Sequence, residues 1–185
     1  MNDNIYIYPS THIYSWKDVT KMGVWVNEMI PVGGSVIMFG PAGVGKTTLI
    51  SNMLNCVSQG LPFLGRDTNK TNCLLLSLDT PQNILKRRWI YNEPTPFVPS
   101  FYFGPYTPFD CLNLKFPNSP LYNQVKNAIK QNDIGLVVVD SLRDVFSGDM
   151  NNDESPKLVY QAFQEWTDHK TVVFLHHTRK QQIAN

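Results

Sequence analysis

The sequence predicts an α/β domain in three layers, a mainly parallel β-sheet flanked by helices. Three observations carry that expectation. Ser35-Val36-Ile37-Met38-Phe39 is a short, nearly all-apolar run that ends at a glycine-rich loop, after which Leu49, Ile50, Met53, Leu54 and Val57 recur at helical spacing. That run, like further ones from Asn72 to Leu78, Gly135 to Val139 and Thr171 to Leu175, lacks the strict alternation of a half-exposed strand and reads as a strand buried on both faces. Helical patterns separate these runs, so crossovers join the strands and the sheet is mainly parallel, with its carboxyl edge carrying the site.

The chain has 185 residues, 42% of them hydrophobic, which suffices for one core, so a single domain is expected over residues 1–185. A net charge of +1 provides no global basic field for nucleic acid, although a local basic patch stays open. Cys56, Cys73 and Cys111 lack metal-ligand spacing and read as buried free thiols of a reducing compartment. No apolar run approaches the ~20 residues of a membrane span and the N-terminus lacks a signal-peptide profile. A soluble, cytoplasmic protein without a membrane partner is expected.

In chain order, residues 1–30 mix Tyr6, Tyr8, Tyr14, Trp16 and Trp25 with polar residues and read as short strands or a hairpin. Their aromatics are better suited to covering a sheet edge than to stacking on a base. Residues 31–180 form the core. Gly60-Leu61-Pro62-Phe63-Leu64-Gly65 is a turn with buried anchors, and a polar connection leads into the strand at Asn72. Asp79 or Thr80 can then cap a helix that begins at Pro81 and runs to about Trp89 or Tyr91. On that helix Lys86, Arg87 and Arg88 fan around the circumference, which favours a solvated face over a nucleic-acid stripe.

Glu93 to Pro120 is rich in proline and reads as loop around one short strand, Ser100 to Phe103. Tyr102, Phe103 and Tyr106 fit a satellite core better than a stacking platform. Leu121 to Gln131 reads as a helix with Leu121, Val125 and Ile129 on one face. An acidic, asparagine-rich loop from Gly148 to Ser155 precedes a helix from Pro156 to Trp166, and residues 181–185 are a tail.

The chemistry is concentrated in Gly40-Pro41-Ala42-Gly43-Val44-Gly45-Lys46-Thr47-Thr48, which fits the phosphate-binding P-loop at every required position. Glycines let successive backbone N–H groups point into one concavity, and the helix that opens at Lys46 adds the positive end of its dipole. Lys46 reaches the β- and γ-phosphates of a nucleotide, and the Thr47 hydroxyl is placed to ligand Mg2+. An accidental glycine-rich turn is the competing explanation. The predicted order of strand, loop and helix is the context that argues against it.

A second motif, Gly135-Leu136-Val137-Val138-Val139-Asp140, is an apolar strand that ends in a carboxylate, the Walker B pattern. Helix capping alone can explain such an Asp, but beside a P-loop the metal role for Asp140 is preferred. The last strand ends in His176-His177-Thr178-Arg179-Lys180. Alternation sends the two imidazoles to opposite faces, so at most one faces the nucleotide. His177 is the candidate, and His176 is assigned to packing.

Together, Gly40 to Thr48, Gly60 to Gly65, Leu74 to Arg88, Leu136 to Arg143 and Phe174 to Lys180 resemble the RecA-like ATPases, in particular the RepA-like hexameric replicative helicases. The resemblance runs from about Met22 to Lys180. It implies a RecA-like P-loop core, ATP and Mg2+ as ligands, hydrolysis between subunits of a homo-oligomer such as a hexamer, and movement along single-stranded DNA in replication, recombination or a mobile element. It also implies that His177 senses the γ-phosphate and that the residue matching the water-polarising Glu is Asp79.

Asp79 is one methylene shorter than the family's Glu, and general-base geometry reaches only ~2.6–3.2 Å. Family members continue past the His-His strand to an arginine finger, whereas this sequence stops at Asn185. An incomplete core is therefore expected, the chain being either a fragment of a larger protein or dependent on another polypeptide for the finger. Arg179 or Lys180 acting in trans is the weaker option. An ATP-binding switch with little hydrolysis is the alternative function, and a small-molecule kinase is a third that lacks its arginine-rich lid. An AAA+ ATPase fits less well because Ser141, not Glu, follows Asp140. A GTPase lacks its guanine-specifying motif.

Overall fold

The computed structural model describes residues 23–78, 102–103, 120–145, 163–165, 167–168 and 170–178. Asp79, the helix expected from Pro81, the basic run Lys86–Arg88 with Trp89, Tyr106, Cys111, the loop at 148–155, Arg179 and Lys180 lie outside the described residues. So do Tyr6, Tyr8, Tyr14 and Trp16, and most of the helix expected at 156–166.

Seven strands and two longer helices are described. β1 (Val24–Val26) and β2 (Ile30–Pro31) form an antiparallel hairpin. β3 (Ser35–Gly40), β4 (Asn72–Ser77), β5 (Tyr102–Phe103), β6 (Ile134–Asp140) and β7 (Thr171–His177) form one sheet in the order β3-β7-β6-β4-β5. Every pairing in it is parallel. The helices are α1 (Lys46–Gln59) and α2 (Pro120–Gln131), and a 3-10 turn spans Leu142–Val145.

Alternation of side chains along the strands divides the core into two layers. On one face Leu75, Leu136, Val138, Val173 and Leu175 pack with Ile50, Met53, Leu54 and Val57 of α1 and with Val26, Ile30 and Phe63. On the other, Leu74, Leu76, Val137, Val139, Val172 and Phe174 pack with Val125 and Ile129 of α2 and with Phe163. Phe163 and Phe174 meet edge to face, with centroids 4.9 Å apart. The result is the three-layer α/β fold expected from the sequence. Each large aliphatic side chain so buried contributes about 1.5–3 kcal/mol over leaving it in water.

Local details depart from the pattern. β3, expected to be buried on both faces, is the end strand of the described sheet, and Ile37 and Phe39 on its outer face are exposed. Leu49 lies on the rim of the apolar stripe of α1 and is exposed, while the stripe itself runs through Ile50, Met53, Leu54 and Val57. In the turn at 60–65 only Phe63 is an anchor, because Leu61 and Leu64 point into solvent. Trp25 sits at the amino end of the sheet, where its Nε1 donates to Thr171 Oγ1 at 2.9 Å and its ring packs on Gly135. That end is opposite the P-loop, so Trp25 secures the hairpin and does not stack on a base.

Candidate nucleotide-binding site

β3 ends at Gly40, and the loop that follows turns back into α1 through two residues with positive φ, Gly43 at 82° and Gly45 at 91°. A Cβ at either position would meet nothing within 4 Å, so backbone conformation and not crowding demands glycine here. The space the loop encloses is left open. Gly45 caps α1 with no side-chain hydrogen bond, and the first turn holds no acidic residue. No side chain of that turn thus competes with an anion for its N–H groups.

Lys46 is 8% exposed, and its ammonium is fully engaged within the site. Nζ donates to Gly40 O and Pro41 O, each at 2.9 Å, and lies 3.2 Å from His177 Nδ1. An ammonium has three donors and no acceptor, so Nδ1 is the accepting atom in this contact. The next residue reaches a different strand. Thr47 Oγ1 donates to Asp140 Oδ2 at 2.8 Å, and Asp140 is 1% exposed at the carboxyl end of β6. Pro41, Ala42, Val44 and Thr48 are exposed around the rim.

Sheet order explains why these groups meet. β7 lies between β3 and β6, with His177 level with Gly40 and Leu175 level with Asp140. β7 therefore runs two residues beyond the end of β6, which carries His177 over Lys46. His176, one residue earlier, takes the other face, and its Nδ1 is buried without a partner among the described residues. Beyond β6 the Asp140–Ser141 peptide is cis, and Ser141 donates from both its hydroxyl and its backbone N–H to Asp144 Oδ2, closing the 3-10 turn.

The Thr47 hydroxyl and the Asp140 carboxylate are hard oxygen donors, the type that suits Mg2+. Among the described residues no group of three or more His, Cys, Asp or Glu could form an all-protein cage. Of the residues singled out in the sequence, Lys46, Thr47, Asp140 and His177 are brought together, and Asp79 lies outside the described residues. Sequence reasoning missed Ser77 beside Asp140, and the Gly40 and Pro41 carbonyls that hold Lys46. Ser77 could have been noticed as the polar residue in an apolar strand, but its neighbour depends on strand order.

A family model described as AAA domain matches residues 23–182. No curated protein matches the chain. Among solved structures, the chain is similar to the KaiC-like protein PH0186 from the hyperthermophilic archaeon Pyrococcus horikoshii OT3, with a TM-score of 0.55 and 14% identity. The similarity covers 83% of this chain and 65% of that one, so the chain spans about two thirds of its length. At that identity the likeness speaks to the fold, which is RecA-like. No described helix is long and apolar enough to cross a membrane. The chain belongs to the AAA domain family, as a P-loop ATPase domain of RecA-like fold.

Proposed function

We propose that this domain binds Mg-ATP at the P-loop and hydrolyses it as the motor of a helicase- or recombinase-type oligomer that acts on single-stranded DNA. The observation that carries the nucleotide part is the 2.8 Å hydrogen bond from Thr47 to Asp140, which joins the two motifs at one point of the sheet edge. The N–H groups of residues 42–48 would cradle the phosphates, and Lys46 would exchange its Gly40, Pro41 and His177 partners for phosphate oxygens. Thr47 and Asp140 would hold Mg2+. When bound, that ion neutralises charge that develops on the phosphoryl oxygens. His177, which already touches Lys46, is proposed as the group that registers the γ-phosphate, and Asp79 as the group that orients the attacking water.

The DNA and oligomer parts rest on the sequence resemblance. An arginine finger from a neighbouring copy or a partner polypeptide would complete the site, a contribution worth about 10³–10⁵ in rate. The deciding experiment is steady-state ATP hydrolysis by the chain with and without single-stranded DNA, next to the Lys46→Ala variant. Stimulation by DNA and loss of ATP binding in the variant are expected. Unchanged turnover by Lys46→Ala would refute the site assignment, and indifference to DNA would refute the motor.

Asp79 favours a second reading, an ATP-binding switch that does not turn over productively. ATP recovered intact after prolonged incubation, together with measurable binding, would decide for it.

A further inference from the structure

Ser77 closes β4 and is paired in register with Asp140 of β6. Register partners in a parallel sheet direct their side chains to the same face, and Leu75 and Val138, two residues earlier on each strand, both pack on the α1 side. Ser77 and Asp140 therefore both point toward the first turn of α1, where Thr47 already meets Asp140. The strand ends are held together by Leu78 N, which donates to Asp140 O at 2.6 Å.

Ser77 is 0% exposed, yet its hydroxyl has no hydrogen-bond partner among the described residues. A buried hydroxyl without a partner costs stability, and native structures keep few such groups. The other buried side chains from Cys73 to Leu78 are apolar or thiol, so the surrounding strand would accept alanine or valine at this position. What distinguishes it is its place. The orphaned hydroxyl stands beside the one carboxylate that the nucleotide reading assigns to the metal.

We propose that Ser77 is a positioning residue of that metal site, its hydroxyl hydrogen-bonding a water between Asp140 and the hydrated divalent cation. The inference rests on the Mg-ATP reading and deepens it. A hydroxyl both donates and accepts, so it can orient a water toward the carboxylate, which accepts only. Groups that orient the surroundings of a metal in this way are worth about 10–100-fold in metal affinity.

The test is the Mg2+ dependence of ATP binding by the full chain, followed by calorimetry, for wild type and Ser77→Ala. Wild type should bind ATP more tightly as Mg2+ is added. Ser77→Ala should need about 10-fold or more Mg2+ for half of that effect, while its affinity for ATP in EDTA stays unchanged. Its melting temperature without metal should match or exceed that of wild type, because the variant removes an unpaired buried hydroxyl. Ser77→Thr, which keeps the hydroxyl, should restore the wild-type Mg2+ response. If wild type responds to Mg2+ and Ser77→Ala responds identically, the role of Ser77 is overturned and the Mg-ATP reading stands. If wild-type binding is indifferent to Mg2+, both fall. A variant that loses ATP binding in EDTA to the same degree as in Mg2+ also overturns the proposal, since the loss is then not tied to the metal.

Discussion

Replacing Thr47 by valine keeps the side-chain volume and removes one hydroxyl. In the structure that hydroxyl donates to Asp140 Oδ2 at 2.8 Å, and the acceptor is a carboxylate that is 1% exposed. Hydrogen bonds to charged groups contribute about 1.5–3 kcal/mol, against about 0.5–1.5 kcal/mol for neutral pairs. The buried position of Asp140 keeps water from replacing the lost donor at little cost. For a domain of this size each kcal/mol moves the melting temperature by about 2–4 °C, so Thr47→Val should melt about 3–12 °C below wild type in EDTA without nucleotide. Thr47→Ser keeps the donor and loses only a methyl group on a half-buried residue, which costs about 0.8 kcal/mol or less. A double-mutant cycle with Asp140→Ala should return a coupling of about 0.5–3 kcal/mol. If Thr47→Val melts within about 1 °C of wild type, or if the two substitutions are additive, the motifs are not joined through this bond.

Two further predictions probe the scaffold. A Cβ on Gly135 would lie 2.3 Å from Thr71 Oγ1 and 2.8 Å from Trp25 Cζ2, so Gly135→Ala should overpack the amino end of the sheet and cost about 1–3 kcal/mol. Chemical denaturation measures this, and ATP affinity of the folded variant should be unchanged because the clash is at the opposite end from the P-loop. Burial pushes the Cys73 thiol from its ordinary 9.0 up to about 12. The folded state thus keeps a proton that the unfolded chain releases, and the contribution to stability is complete below pH 9.0 and is lost as pH rises toward about 12. Within that window wild type should lose up to about 1.4 kcal/mol per pH unit more than Cys73→Ala, and equal slopes for the two proteins would contradict burial of the neutral thiol.

Composition made the central strands legible, because a strand covered on both faces must be apolar at every position. β6 is buried from Ile134 to Asp140, as its uninterrupted run of aliphatics requires. The P-loop was legible for a different reason: positive φ at Gly43 and Gly45 leaves a signature that few other residues can supply. Strand order was not legible. β4, β6 and β7 have interchangeable apolar patterns, and nothing local says that β7 separates β3 from β6. Without that order the register of Gly40 with His177, and of Ser77 with Asp140, has no expression in the sequence. The end of β7 was legible, because alternation through His176 and His177 already sends the two rings to opposite faces, and pairing with β3 does continue to His177. Trp25 shows the same limit as strand order, since its partners Gly135 and Thr171 are more than a hundred residues away in the chain.

The contacts made by Lys46 and Thr47 in the first turn of α1 have a common consequence. Lys46 spends its donors on Gly40, Pro41 and His177, and Thr47 spends its hydrogen on Asp140. A buried ammonium and a buried carboxylate would each be costly if left bare, and these bonds are what allow the site to be folded without a ligand. On the proposed reading, nucleotide and metal therefore exchange bonds rather than add them. The affinity for ATP is the difference between new phosphate and metal contacts and the contacts given up, and the exchange is felt on two strands at once. Release of His177 by Lys46 would free the end of β7, while release of Asp140 by Thr47 would free the end of β6. Because β7 and β6 are neighbours, their ends share one edge of the sheet, and the first turn of α1 touches both.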